Sequence, residues 1–169
     1  MRLLTKAVAE GQAQRAAVLD LLAWQLREVS PALVHRKDGK PRLRDYPDLD
    51  ISISHCLTDV AVLIGRQEKP GVDVEGKWAQ AERLKERFCT PAELGLSQET
   101  GLEPIWFWCA KEACFKAHSD ILVTPWTSVR VTGLGRGGTL EAEVSGFGTV
   151  QLGRLVLPSG AALVYTLSS

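Results

Sequence analysis

Beyond Thr127 the chain consists of short β-type stretches, Val129 to Thr132, Thr139 to Val144, Thr149 to Leu157 and Ala161 to Leu167. Glycine turns separate them at Gly133 to Gly138, Gly146 to Gly148 and Ser159-Gly160, a pattern that predicts an antiparallel sheet. Helical patterns come earlier. Gln12 to Val29 places Ala16, Leu19, Leu22, Ala23 and Leu26 on one face, with Ser30-Pro31 as its stop. Ala79 to Phe88 is rich in paired Glu and Lys or Arg, and Pro104 to Ala117 is apolar enough to be the more deeply buried helix. Between these lie a polar loop from His35 to Asp50, a hairpin of Ile51-Ser52-Ile53-Ser54 with Val60 to Ile64, and a short strand from Val72 to Val74. The fold class expected from this order is α+β.

At 169 residues the chain suits one compact domain or two small halves with a shared core. Cys56, Cys89, Cys109 and Cys114 form neither a CxxC pair nor a Cys/His cluster at zinc spacing, so they read as reduced, mostly buried thiols. The N-terminal residues have no apolar region of signal-peptide length, and no uncharged run could span a bilayer, which predicts a cytoplasmic protein. The net charge is zero, which disfavours a general nucleic-acid binder. It is unevenly placed, however: Met1 to Arg44 carries nine Lys and Arg against four Asp and Glu. That excess is either a solvated face or a basic surface for a phosphate-rich ligand or an acidic partner.

Three constellations bear on chemistry. In Gly71-Val72-Asp73-Val74-Glu75 the period of a strand sends Val72 and Val74 to one face and Asp73 and Glu75 to the other. Two carboxylates about 7 Å apart repel unless a cation lies between them, and a hard divalent ion is the natural neutraliser. An exposed polar strand face is the simpler alternative. In Trp108-Cys109-Ala110-Lys111-Glu112-Ala113-Cys114-Phe115-Lys116, the i, i+4 pair of Glu112 and Lys116 is either a helix salt bridge or a ligand site on an apolar helix. Ser54 and His55, at a strand end, could hydrogen-bond a phosphate. They point to opposite faces, which argues against a Ser–His relay, and neither a G-x-S-x-G elbow nor a phosphate loop is present.

Taken in order, GKP (Gly39 to Pro41), SISH (Ser52 to His55), GVDVE (Gly71 to Glu75), RFCTPAE (Arg87 to Glu93) and WCAKEACFK (Trp108 to Lys116) resemble the 4'-phosphopantetheinyl transferase superfamily. The resemblance runs from about Arg15 to Arg130. It implies two pseudo-symmetric α/β halves, 1–69 and 70–169, with coenzyme A in the cleft between them. It also implies transfer of phosphopantetheine from coenzyme A to a serine of an acyl or peptidyl carrier protein, the activity of a holo-acyl-carrier-protein synthase, with release of 3',5'-ADP. By resemblance, Asp73, Glu75 and Glu112 are the Mg2+ carboxylates. Glu112 and Lys116 are the catalytic pair, and Lys40, Ser54, His55, Lys111 and Lys116 contact coenzyme A. Arg36, Lys37, Arg42 and Arg44 are further candidates on charge alone. Two departures stand out: Cys109 occupies a hydroxyl position, and Lys116-Ala117-His118-Ser119-Asp120-Ile121-Leu122 lacks the glycines usual there. The altered loop motivates an alternative, a protein on this fold that binds coenzyme A or a carrier without transferring anything.

Overall fold

The computed structural model describes residues 1–9 and 11–168. It is mixed α+β, with two five-stranded antiparallel sheets and five helices. The first sheet contains β1 (Arg2–Ala7), β2 (Leu33–His35), β3 (Pro41–Leu43), β4 (Leu49–His55) and β5 (Asp59–Arg66) in the order β1-β5-β4-β3-β2, and α1 (Gln14–Leu26) packs on it. The second contains β6 (Val72–Glu75), β7 (Val129–Leu134), β8 (Leu140–Val144), β9 (Gly148–Val156) and β10 (Ala162–Thr166) in the order β6-β10-β9-β8-β7. In each sheet the first strand pairs with the last. Between β6 and β7 run α2 (Trp78–Leu84), α3 (Pro91–Thr100), α4 (Pro104–His118) and α5 (Pro125–Ser128). Among the described residues no helix is long and apolar enough to cross a membrane.

The run Val60 to Ile64 is continuously apolar because β5 is covered on both faces. Val60, Val62 and Ile64 pack with Ala17, Val18 and Leu22 of α1, while Ala61 and Leu63 meet Val72, Val74 and Leu163 of the second sheet. Burying a Val or Leu of this kind stabilises the fold by roughly 1.5–3 kcal/mol. The hairpin of β4 and β5 forms in the expected place, with Ile51 opposite Ile64 and Ile53 opposite Val62.

Helix α4 is held against β6 by the absence of a side chain. A Cβ on Gly71 would lie 2.0 Å from the Ala113 carbonyl oxygen and 3.0 Å from Ala117 Cβ. Cys109, Ala110, Ala113, Cys114 and Ala117 line the buried side of the helix, small enough to let it sit down on the sheet.

The structure departs from the sequence expectations in several places. Helix α1 ends at Leu26, before Ser30-Pro31, because Arg27 takes the left-handed conformation (φ 57°) and donates its N–H to the Ala23 carbonyl. The buried face of α1 is Ala17, Val18 and Leu22 rather than the stripe through Ala16 and Leu19. The polar loop His35 to Asp50 contains β3 and adjoins β2, strands of three residues each, too short to show a period. The helix expected at Ala79 to Phe88 gives way after Leu84 to a 3-10 turn, Lys85–Arg87.

Candidate functional site

Asp73 sits mid-strand in β6 with Val72 and Val74 turned into the core between the sheets, so its side chain faces α4. There Asp73 Oδ1 accepts from Lys116 Nζ at 2.7 Å and from Ser54 Oγ at 2.9 Å. Lys116 also donates to the Val72 carbonyl at 3.0 Å. Cys109, fully buried about two turns of α4 before Lys116, has its thiol within the influence of the same carboxylate. Burial first, and the Asp73 charge second, hold that thiol well above its usual pKa. Cys109 therefore stays a neutral S–H.

Glu112 lies on the same side of α4. Its pKa is raised, chiefly by burial and then by the neighbouring Asp73 carboxylate, with Lys116 opposing. No hydrogen bond or ion pair reaches it among the described residues. Glu75 is brought near the cluster but turned aside: its Oε1 accepts the backbone N–H groups of Gly76 at 2.8 Å and Lys77 at 3.0 Å. The carboxylates expected to form a metal cage are thus gathered but not closed into one. Among the described residues no group of three His, Cys, Asp or Glu is arranged to hold a metal ion. The reason is local. Lys116 occupies Asp73, and the start of α2 occupies Glu75. The donor chemistry nevertheless fits a hard divalent cation, since of the three carboxylates only Asp73 has an ammonium partner and no N–H or O–H among the described residues reaches Asp73 Oδ2 or Glu112.

Lys116 also opens onto a cleft of about 990 Å³ between the first sheet and the C-terminal end of α4. Arg36, Lys40, Arg42 and Arg44 line it from the first sheet, and Lys69, Phe115 and Asp120 from the other side. Four of the nine N-terminal Lys and Arg, namely Arg36, Lys40, Arg42 and Arg44, thus meet in this cleft beside the acidic Asp38, Asp50 and Glu68, whereas Lys37 and the other four do not line it. Two lining residues had no signal in the sequence: Lys69 donates to Asp120 at 3.1 Å, and Asp120 lies 3.9 Å from Lys40 across the cleft. The loop without glycines thus crosses the cleft mouth as an anion between two cations. Just before it, burial, with Lys69 nearby, lowers the pKa of His118.

Three expected coenzyme A contacts are placed differently. Lys111 is fully buried and pairs with equally buried Glu93 at 3.0 Å, while donating to the Trp126 carbonyl at 3.3 Å. Glu93 also accepts from the N–H groups of Thr90 and Val131, so this pair ties α3, α4, α5 and β7 together with no face left for a phosphate. Ser54 is buried, its hydroxyl engaged by Asp73 and by the Val74 N–H. His55, one residue further, is exposed at the end of β4 and lines no part of the cleft.

Residues 69–150, just under half of the chain and running from before β6 into β9, match the family model of the 4'-phosphopantetheinyl transferase superfamily. The matched segment contains Asp73, Glu75, Glu112 and Lys116. No curated protein matches the chain.

Proposed function

We propose that this chain transfers the 4'-phosphopantetheine group of coenzyme A to a serine of an acyl or peptidyl carrier protein, with 3',5'-ADP as the second product, and that it divides near Lys69 into two halves that share the substrate cleft. The observation that carries this reading is the continuity of a cleft lined by six Lys and Arg against four Asp and Glu with a carboxylate cluster through one residue, Lys116. Phosphates bind the first, and phosphoryl chemistry belongs to the second.

Asp73, Glu112 and, after releasing its backbone contacts, Glu75 would hold Mg2+, which when bound supplies charge neutralisation at the pyrophosphate. Arg36, Lys40, Arg42 and Arg44 take the phosphates of coenzyme A along the cleft, and His55 serves a more distant one at the end of β4. The carrier serine attacks the phosphorus on the pantetheine side. Its proton passes to the Glu112 carboxylate or to a water that Glu112 positions, and the bond to the 3',5'-ADP oxygen breaks as the new ester forms. Lys116, already lodged against Asp73, donates to the leaving phosphate.

One observation favours the binding-only alternative: Lys116 closes on Asp73 and the three carboxylates do not form a preassembled cage. Calorimetry with coenzyme A at rising salt tests the cleft. Affinity should fall with salt, because partly exposed charges are screened over about 8–10 Å near physiological ionic strength, and Arg42→Glu should weaken it further. Affinity insensitive to both would remove coenzyme A from this cleft.

A further inference from the structure

Ser52 and Ser54 stand on the same face of β4, and each receives one backbone N–H of β6. Val72 donates to Ser52 Oγ at 3.1 Å and Val74 to Ser54 Oγ at 3.2 Å. The outward amides of β6, the edge of the second sheet, are thereby satisfied by hydroxyls across the seam rather than by another strand. The two serines differ in where they send their own proton. Ser54 donates to Asp73 Oδ1 at 2.9 Å, while Ser52 has no side-chain acceptor among the described residues.

A carboxylate on a strand can rotate about two bonds, and Asp73 is held by donors from two different elements: Ser54 on β4 and Lys116 on α4. Both grip Oδ1. Oδ2 is the oxygen left for a ligand. Lys116 is partly exposed, with 29% of its side-chain surface open, whereas Ser54 is 6% exposed and cannot swing away or yield to bulk water. We propose that Ser54 is a positioning residue for Asp73, using its hydroxyl to fix the carboxylate with Oδ2 presented to a divalent cation, and that it does not contact coenzyme A. The proposal rests on the metal reading given above. It also makes Ser52 an internal control, since Ser52 performs the same service for the strand without touching the carboxylate.

The test compares wild type, Ser52→Ala and Ser54→Ala by thermal melting, by Mn2+ binding followed through the paramagnetic resonance signal of the free ion, and by coenzyme A binding in chelator. Both variants should lose comparable thermal stability, because each leaves one β6 amide without its acceptor. Only Ser54→Ala should bind Mn2+ more weakly, by about tenfold or more, the range for residues that orient a metal ligand. Its coenzyme A affinity without metal should stay within about twofold of wild type. Ser54→Cys, close in volume and a weak donor, should fall between, and it replaces the alanine variant if that does not fold. Equal Mn2+ affinity in the Ser52 and Ser54 variants would overturn the proposal, and a tenfold loss of coenzyme A affinity would return Ser54 to the substrate contacts. If wild type binds no Mn2+, the metal reading fails, and a crystal structure of Ser54→Ala then decides the positioning claim. A rotated Asp73 carboxylate upholds it, and an unmoved one ends it.

Discussion

Lys116 Nζ lies 2.7 Å from Asp73 Oδ1, so the ammonium that lines the cleft is also the one paired with a buried carboxylate. Binding a cation at Asp73 would free Lys116 for a phosphate, which couples the two halves of the proposed chemistry. Lys116→Ala should lower the turnover number more than it raises the Michaelis constant for coenzyme A, because contact with a leaving phosphate is realised in the transition state. Steady-state kinetics over a range of coenzyme A concentrations checks this, and a change confined to the Michaelis constant would make Lys116 a simple binding residue.

Asp73→Asn keeps the shape of the side chain and its contact with Ser54 but removes the charge. Transfer should fall by at least about 100-fold, the upper end of what outer-shell partners of a metal contribute. The fold should persist, since Lys116 can extend to water. Circular dichroism and single-turnover transfer report these separately.

The raised pKa of Glu112 has a defined sign. A carboxyl that binds its proton more tightly folded than unfolded contributes stability below its ordinary value of 4.5 and loses that contribution as pH rises through the higher folded value. In chelator, Glu112→Gln should therefore melt at a higher temperature than wild type at neutral pH, and the gain should vanish near pH 4.5. Thermal melts from pH 4 to 8 check it. A variant less stable than wild type at neutral pH would mean that the Glu112 carboxylate has a favourable partner in the free protein.

The buried pair of Lys111 and Glu93 gives the opposite expectation. Lys111→Met strands the Glu93 charge in the core and should cost about 3–5 kcal/mol in denaturant unfolding, with Glu93→Gln and Lys111→Met together costing less than the two single changes summed. If Lys111→Met instead keeps its stability and loses coenzyme A binding, Lys111 is a substrate contact.

Gly71→Ala would press a methyl group into the Ala113 carbonyl. Moving α4 off β6 should lower stability by about 1–3 kcal/mol, as for other overpacked sites, and should reduce transfer as well, because α4 carries Glu112 and Lys116. Denaturant unfolding beside the transfer assay shows whether the two losses travel together.

Much of this was legible where local periodicity governs. Asp73 faces away from Val72 and Val74 because a strand alternates, and the hairpin of β4 and β5 could be read from its apolar run and turn. Helix α3 was not anticipated, although Thr90 and Glu93 form a full capping box, because only Leu94 and Leu96 give the helix a partly buried side and no apolar stripe announces it. The early end of α1 depends on Arg27 adopting a left-handed backbone, which no glycine or proline marks. The roles of Ser54 and Lys111 lie further from view. Each depends on a partner that folding brings in from 19 or 18 residues away in sequence, and residue types alone make a buried lysine and a phosphate-binding lysine look alike.

The central claim is tested most directly by incubating the purified protein with coenzyme A, Mg2+ and apo carrier proteins drawn from fatty acid, polyketide and peptide synthases, and measuring the intact carrier mass. Wild type should add one phosphopantetheine to the serine of at least one carrier, and excess chelator should abolish the gain. Glu112→Gln should slow it by about 100-fold or more, as expected for loss of a general base. A wild-type protein that binds coenzyme A in the cleft yet leaves every carrier mass unchanged would contradict the transferase and establish the binding protein in its place.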